Sequence, residues 1–265
     1  MKVFDDFKFK KIFGQNFISD KNLLNAVVSD SGISSADEVL EIGTGAGTLT
    51  TAIAQKAKKV VSYEIDKNLT EYLQDKFKEN PKVTLICADA LKEDISEIEK
   101  HFSNDYHIIA NIPYYITSPL IFKFLEQTDK IKSITVMVQK EVAQKATAKP
   151  KDENYGVLSV MLQYYCNPKI TRIVKKKMFT PPPKVDSAIL RLEKKPNIKF
   201  DKKFKDFVFG IFAMKRKTLN NNLLKLGHEK EQINNALQKL GFNPNIRSEE
   251  LTFQQIRQLF EILNK

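Results

Sequence analysis

Along the first half of the chain, apolar residues form strand-length runs that alternate with segments of helical spacing. Apolar runs of strand length occur at residues 38–42, 60–64, 83–87, 106–110 and 133–138. Helical spacing of apolar residues occupies residues 20–28, 48–58, 67–77, 95–102 and 119–125. This alternation predicts a mostly parallel sheet with helices on both faces. Asp20 is the expected N-cap of the first helix.

The pattern changes towards the C-terminus. Residues 155–165 suit either a helix or a strand, and residues 170–174 and 187–192 are predicted strands, which makes seven strands in all. After Pro196, strands give way to helical spacing at residues 204–212, 219–226, 231–240 and 253–263. We therefore expect an α/β domain at residues 1–195 and a small all-α domain at residues 196–265.

Composition describes an ordinary globular protein, since 42% of the 265 residues are hydrophobic and 28% are charged. No apolar run approaches the ~20 residues that span a bilayer. The first residues, MKVFDDFKFKK, lack the apolar core of a secretory signal. Cys87 and Cys166 lie in apolar segments, so we expect reduced core cysteines and no metal site. These features predict a cytoplasmic protein.

The charge is positive and unevenly distributed. The formal net charge is +11, and residues 191–265 contain 16 Lys and Arg against 8 Asp and Glu, a net +8. This imbalance favours a nucleic-acid partner over a uniformly lysine-rich surface. The candidates for phosphate contacts are Lys10 and Lys11, in an arm that interleaves basic and aromatic residues, and Lys215, Arg216 and Lys217. The alternatives are an arm pinned by its phenylalanines and a solvated helix face.

Three features follow successive predicted strands. The sequence Gly-Thr-Gly-Ala-Gly at residues 43–47 opens a helix, where glycine lets the backbone turn sharply and approach a ligand. Glu64 ends the second strand, 21 positions after Gly43, where a carboxylate can accept both ribose hydroxyls. Asp89 follows the third strand and can accept from an adenine amino group. Individually, Glu64 could be a solvated strand end and Asp89 a helix N-cap; together the features predict an adenosine-containing cofactor.

The fourth strand runs into Asn111-Ile112-Pro113-Tyr114. An Asn side-chain oxygen can accept hydrogen bonds from an amino group, and a Tyr ring offers a face for stacking. Pro113 fixes its own φ and favours an extended Ile112. This combination suits a planar substrate with an exocyclic amine, and a methyl donor would give the motif a role. The alternative is a strand followed by an ordinary Pro turn. Tyr115, the next residue, is expected in the core.

The chain closely resembles the ribosomal RNA adenine N6-dimethyltransferases of the small-subunit, kasugamycin-sensitivity type. The resemblance rests on motifs that occur in order along nearly the whole chain: FGQNF at 13–17, EIGTGAG at 41–47, ANIPYYITSPLIF at 110–122, MVQKEVA at 137–143, YGVLSV at 155–160, FTPPPKVDSAILRL at 179–192 and KRKTLNNNL at 215–223. It implies a Rossmann-like S-adenosylmethionine-binding domain followed by a helical RNA-binding domain.

The resemblance also implies roles for individual residues. The cofactor would be S-adenosyl-L-methionine, held by Asn16, Ile18, Gly43, Glu64, Asp89 and Asn111. Asn111 would also hold the target adenine, stacked between Tyr114 and Phe179, although Phe179 could instead anchor its loop. The chain departs from the family pattern at Thr44, where Pro is frequent, at Ile18, where Leu is common, and at Lys145, where Arg is usual.

The expected reaction is dimethylation of N6 on adjacent adenines in a helix-end loop of 16S rRNA, during small-subunit biogenesis. The expected partner is small-subunit rRNA or an immature small subunit, and the protein is expected to be a monomer. The alternatives are a large-subunit rRNA dimethyltransferase of the antibiotic-resistance type and an assembly factor whose binding matters more than its catalysis. DNA or protein-amide methyltransferases share the Asn-x-Pro-Tyr chemistry but commonly have Pro at the second position, where this chain has Ile112.

Overall fold

The computed structural model describes residues 17–18 and 20–264. Its strands are β1 (Phe17–Ile18), β2 (Glu38–Ile42), β3 (Lys59–Glu64), β4 (Val83–Cys87), β5 (Tyr106–Ala110), β6 (Ile131–Gln139), β7 (Cys166–Val174), β8 (Phe179–Thr180) and β9 (Ser187–Lys194). Its helices are α1 (Lys21–Asp30), α2 (Thr48–Lys56), α3 (Lys67–Phe77), α4 (Ile95–Glu99), α5 (Tyr114–Gln127), α6 (Lys140–Thr147), α7 (Val157–Tyr165), α8 (Lys202–Ile211), α9 (Leu219–Lys225), α10 (Lys230–Lys239) and α11 (Phe253–Leu263).

Seven strands form one sheet in the order β4-β3-β2-β5-β6-β9-β7. The pairs β2–β3, β2–β5, β3–β4 and β5–β6 are parallel, and β6–β9 is antiparallel. The fold class expected from the sequence is therefore confirmed. β2 and β5 are buried along their whole length, which is typical of central strands in a mostly parallel sheet.

The register of three neighbouring strands places the candidate site. Ile42 of β2 lies opposite Tyr63 of β3 on one side and Ala110 of β5 on the other. The next residues along the three strands are Gly43, Glu64 and Asn111. Since parallel strands share a carboxyl edge, these positions emerge side by side. The strand order also reverses at β2, which is where open α/β sheets bind ligands.

The described residues fall into two compact units. The first contains the described residues up to Lys140 together with Ile170–Lys194, and the second contains Glu141–Lys169 and the chain from Lys195 onward. The domain boundary at residue 195 remains a prediction. The two compact units do not follow it throughout, because Glu141–Lys169 groups with the C-terminal helices. This segment contains most of α6 and all of α7.

An aromatic cluster explains why α7 groups with the second unit. The ring centroids of Tyr164 on α7 and Phe204 on α8 are 4.7 Å apart, and Phe204 lies 5.4 Å from Phe260 on α11. The Arg257 guanidinium lies 5.0 Å from the Phe204 ring and donates to Asp201 at 2.7 Å. This contact ties α11 to the N-cap of α8. Residues 155–165, which suited either element, therefore contain a helix.

Some local expectations are corrected. α5 begins at Tyr114 rather than near residue 119, and Pro119 lies inside it at the cost of one helical hydrogen bond. α6 and the short β1–β8 pair were not predicted. Neither cysteine forms a disulfide: Cys87 is exposed and not a core residue, because it ends the edge strand β4, whereas Cys166 is buried. The Asp20 cap is confirmed, since its carboxylate accepts from the Leu23 N–H at 2.9 Å.

Within the described part of the chain, no helix is both long and apolar enough to cross a bilayer. The same residues contain no group of three or more metal-ligating side chains arranged to hold an ion.

Candidate active site

A cavity of about 290 Å³ opens where β2, β3, β4 and β5 end. Seven residues singled out from the sequence line it: Ile18, Gly43, Glu64, Asp89, Asn111, Tyr114 and Phe179. The structure thus brings together candidates that are scattered over more than 160 positions of the chain. Asn16, Lys10 and Lys11 lie outside the described residues.

The glycine loop needs residues without a Cβ for two reasons. Gly43, Gly45 and Gly47 have φ of 85°, 55° and 69°, the left-handed region that disfavours other residues. A Cβ on Gly43 would also lie 3.1 Å from Cγ2 of Ile112 and 3.4 Å from the Asn111 carbonyl oxygen. The loop therefore packs closely against the Asn-Ile-Pro-Tyr motif.

Glu64 is held by backbone N–H groups on both sides of its carboxylate. Gly45 donates to Oε2 at 2.7 Å and Asp66 donates to Oε1 at 2.9 Å. The residue is only 6% exposed, so it is not a solvated strand end. Each carboxylate oxygen has a further lone pair, which leaves acceptor capacity towards the cavity.

Asp89 organises a turn and also lines the cavity. Its Oδ1 accepts from the Leu91 N–H at 3.0 Å, and its carbonyl accepts from Lys92 and Glu93, so it organises the turn after β4. It does not cap α4, whose N-cap is Asp94. It nevertheless lines the cavity, and its Oδ2, which lies 3.9 Å from Lys92 Nζ, keeps lone pairs that can accept a hydrogen bond.

The Asn-Ile-Pro-Tyr motif forms the wall opposite Glu64 and Asp89. Asn111 is half-buried, Ile112 is 5% exposed, and Pro113, with φ −55° and ψ 138°, is the N-cap of α5. The Tyr114 hydroxyl lies 2.6 Å from Ser187 Oγ, so the phenol is fixed at its tip and the orientation of the ring is restricted. Burial raises the pKa of Tyr114, which keeps the hydroxyl protonated.

Phe179 is both a core residue and part of the cavity wall. It is 3% exposed and packs in the apolar cluster that contains Ile18. The two residues are partners in the antiparallel β1–β8 pair, and the Ile18 carbonyl accepts from Thr48 Oγ1 at 3.2 Å. The strands β1 and β8 are thus paired with each other beside α2.

Sequence reasoning missed Glu41, a fully buried acid below the glycine loop. Its Oε2 accepts from Thr50 Oγ1 and Ser62 Oγ, each at 2.6 Å, and Ser62 Oγ lies 2.6 Å from Thr44 Oγ1. Burial raises the pKa of Glu41 to about 7. Two acids, Glu38 and Glu41, within a predicted buried strand were the available signal. A Pro at position 44 would lack the hydroxyl that joins this chain of hydrogen bonds.

Tyr115 does not lie in the core as expected. Its side chain is 70% exposed at the mouth of the cavity, where Ile65 is also exposed. The reason is that α5 begins at Tyr114, so Tyr115 belongs to the first helical turn and faces away from the packed side. Lys145, which stands where Arg is usual, pairs with Glu141 within α6 at 2.6 Å.

The second unit carries three of the five basic residues predicted to contact RNA. Lys215, Arg216 and Lys217 are exposed in the turn before α9. The turn is held by Asn222, which is 2% exposed and accepts from the Met214 N–H at 3.1 Å. A buried amide therefore fixes the backbone that presents these three cations.

Comparison with known proteins places these features in one family. A profile of the family described as ribosomal RNA adenine dimethylase matches residues 6–265. The ribosomal RNA small subunit methyltransferase A of Caldanaerobacter subterraneus subsp. tengcongensis is 44% identical over 262 residues, 97% of each protein. A protein of the same name from Clostridium botulinum is 40% identical over 262 residues, 97% of this chain and 95% of the relative.

Two solved structures of related methyltransferases are similar to this chain at lower sequence identity. A dimethyladenosine transferase from Plasmodium falciparum is 27% identical, with a TM-score of 0.79 over 94% of this chain and 97% of that one. The 23S rRNA methyltransferase ErmE is also 27% identical, with a TM-score of 0.74 over 94% of this chain and 100% of its own.

The glycine loop yields a prediction about stability. Gly43→Ala should lower the free energy of unfolding by about 1–2 kcal/mol, because a left-handed φ disfavours a Cβ and the methyl group would press on Ile112. Urea unfolding would measure the change. Gly156→Ala is the matched control, since Gly156 has an extended φ of −179° and no atom within 4 Å of the added Cβ. Equal effects of the two substitutions would contradict this account.

Glu41 yields a pH dependence. Since its pKa is about 7 in the folded protein against an ordinary 4.5, the unfolded chain releases this proton first as the pH rises. The group therefore lowers the free energy of unfolding between pH 4.5 and 7, by up to roughly 3 kcal/mol. Glu41→Gln keeps an acceptor oxygen and cannot ionise, so its unfolding free energy should fall less over this interval. Parallel pH profiles, measured by urea unfolding, would refute the prediction.

Proposed function

The chain belongs to the ribosomal RNA adenine dimethylase family, and we propose that the cavity at its sheet edge is the active site. The protein is an S-adenosylmethionine-dependent methyltransferase that dimethylates adenine N6 in small-subunit ribosomal RNA. The observation that carries the site assignment is the register that sets Gly43, Glu64 and Asn111 side by side.

The cavity residues suit S-adenosyl-L-methionine. Glu64, oriented by two backbone N–H groups, is proposed to accept the ribose hydroxyls, and Asp89 the adenine amino group. Gly43 leaves space for close approach of the ligand, and Ile18 and Asn111 border it. The family resemblance adds Asn16. When bound, this cofactor supplies an electrophilic methyl group on a sulfonium.

Asn111, Tyr114 and Phe179 are proposed to hold the target adenine. Its N6 lone pair is delocalised into the ring, so the free amine is a poor nucleophile. If the Asn111 side-chain oxygen and the Ile112 carbonyl accept its two N–H groups, they favour a pyramidal nitrogen and direct the lone pair. Alignment and electrostatics then supply most of the rate acceleration.

Removal of the proton needs no strong base in this scheme. The amine becomes acidic once it has gained a carbon, so each methyl added is balanced by one proton lost towards water. For the second methylation only one N–H is left, and a single acceptor at Asn111 suffices to orient it. Stacking on Tyr114 and Phe179 offsets part of the few kcal/mol that extrusion of the base costs.

The wider interaction is proposed to involve the immature small subunit. Lys215, Arg216 and Lys217 project from a fixed turn and suit contacts to backbone phosphates, and Lys10 and Lys11 are proposed to add to them. The shape of folded RNA around an exposed loop would select the target. We propose that the protein acts as a monomer in the cytoplasm, where its substrate is assembled.

A large-subunit target is the main competing assignment. The structural likeness to the 23S rRNA methyltransferase ErmE extends over 94% of this chain, but at 27% identity. The small-subunit relatives reach 44% over 97% of the chain, which favours the small-subunit reaction. The deciding experiment is incubation with a labelled methyl donor and separated, unmethylated subunits, followed by mapping of the modified nucleotides. Label confined to large-subunit rRNA would reverse the assignment.

Asn111→Ala is predicted to abolish methylation of small subunits, because the amine loses the acceptor that orients it. Binding of S-adenosylmethionine, measured by calorimetry, should be weaker but detectable. Asn104→Ala is the matched control: this exposed Asn precedes β5 at the opposite end of the strand and should leave turnover unchanged. Near-normal turnover of the Asn111 variant would overturn the proposed role.

A further inference from the structure

Lysines gather at the carboxyl edge of the sheet, on the side of the cavity away from Glu64 and Asp89. Lys140 follows the last residue of β6, and Lys175, Lys176 and Lys177 follow β7; all four are exposed. We call these four residues the lysine cluster. Neither the cofactor site nor the basic turn before α9 includes them.

Asp186 contacts three of the four residues of the lysine cluster. Its Oδ2 lies 3.0 Å from Lys175 Nζ, its Oδ1 accepts from the Lys176 N–H at 3.0 Å, and its carbonyl accepts from the Lys140 N–H at 3.0 Å. The pKa of Asp186 is lowered by the hydrogen bonds from Lys175 and Lys176, and the charge of Lys140 adds to the effect. The carboxylate thus pairs with only one of the four ammonium groups, that of Lys175, and the ammonium groups of Lys176 and Lys177 have no acidic partner among the described residues.

The lysine cluster adjoins the wall of the cavity proposed to hold adenine. Ser187, the residue after Asp186, lies 2.6 Å from the Tyr114 hydroxyl through its Oγ. Phe179 follows Lys177 by two positions, after a single turn of 3-10 helix at Lys176–Met178. The two proposed stacking residues are therefore both connected to the cluster through short, hydrogen-bonded segments.

The cavity itself has the wrong charge for RNA. The described residues that line it include Glu64 and Asp89 but no lysine or arginine. An extruded nucleotide keeps a phosphate on each side, and these anions must stay outside a cavity that contains two carboxylates. In the strand order, Glu64 and Asp89 belong to the side of β3 and β4. The lysine cluster follows β6 and β7, on the other side of β5. Since Tyr114 follows β5, the lysine cluster lies on the side of the edge nearer to Tyr114.

We propose that the lysine cluster binds the phosphates that flank the target adenine, and so delivers the base to Tyr114 and Phe179. This inference rests on the proposed function. It adds an RNA contact within the first unit that is separate from the basic turn at Lys215, Arg216 and Lys217. Lys176 and Lys177 would contribute most, since Lys175 shares its charge with Asp186.

The test is the double variant Lys176→Gln/Lys177→Gln, assayed on unmethylated small subunits at several salt concentrations. KM for the subunits should rise about tenfold, and the slope of log affinity against log salt should fall by about 1.5, because each phosphate contact contributes about 0.7–0.9. The kcat at saturating subunits and the affinity for S-adenosylmethionine should not change. Lys176→Arg/Lys177→Arg, which keeps both charges, should retain normal KM.

A matched control is Lys78→Gln/Lys100→Gln, which removes two exposed lysines that precede β4 and β5 at the opposite edge. It should leave KM and the salt dependence unchanged. If the wild-type protein methylates small subunits and the Lys176/Lys177 variant matches it, the inference fails while the proposed function stands. If the wild type does not methylate them, the proposed function fails first.

Two further results would overturn the inference. Weaker S-adenosylmethionine binding by the Lys176/Lys177 variant would indicate a structural role for the cluster. A defect on intact subunits that is absent on protein-free small-subunit rRNA would indicate a ribosomal protein as the partner, since phosphate contacts would persist without proteins.

Discussion

The candidate site depends on one constraint, the register of β2 with β3 and β5. Ile42, Tyr63 and Ala110 lie in one row across three parallel strands, so the next residue of each strand, Gly43, Glu64 and Asn111, reaches the same edge at the same height. A slip of one residue in either pairing would turn side chains to the opposite face of the sheet. The residues proposed to bind the cofactor and the substrate would then no longer share a cavity.

The cavity lining and the lysine cluster carry opposite charges at this edge. The side of β3 and β4 presents carboxylates, which suit the hydroxyl and amino donors of an adenosine. The side of β6, β9 and β7 presents ammonium groups, which suit a phosphate backbone. Asn111, at the end of the strand between them, has a neutral side chain whose oxygen can accept from an amine without adding charge. The two ligands can therefore approach from different directions and meet at this residue.

Much of this arrangement could be predicted from the sequence, because strand ends and glycine turns carry local signals. Gly43 and Glu64 follow apolar runs, and parallel pairing then makes them neighbours. Glu41 could not be assigned, since its role depends on Thr50 and Ser62, which only the folded sheet brings within 2.6 Å. Tyr115 was misplaced because periodicity cannot tell which residue begins α5. The grouping of α7 with the C-terminal helices depends on aromatic contacts between distant segments, which no local pattern encodes.

Gly43, proposed to border the cofactor, and Ile112, proposed to hold the adenine, approach each other closely at a single methyl group. Cγ2 of Ile112 occupies the space that a side chain at residue 43 would need. That methyl exists only because isoleucine branches at Cβ; a leucine, branched one carbon further out, would withdraw it. The tightest steric contact would then disappear, while the 3.4 Å approach to the Asn111 carbonyl oxygen and the φ of 85° would persist. The identity of one loop residue is thus set partly by the branching of a side chain some seventy positions away.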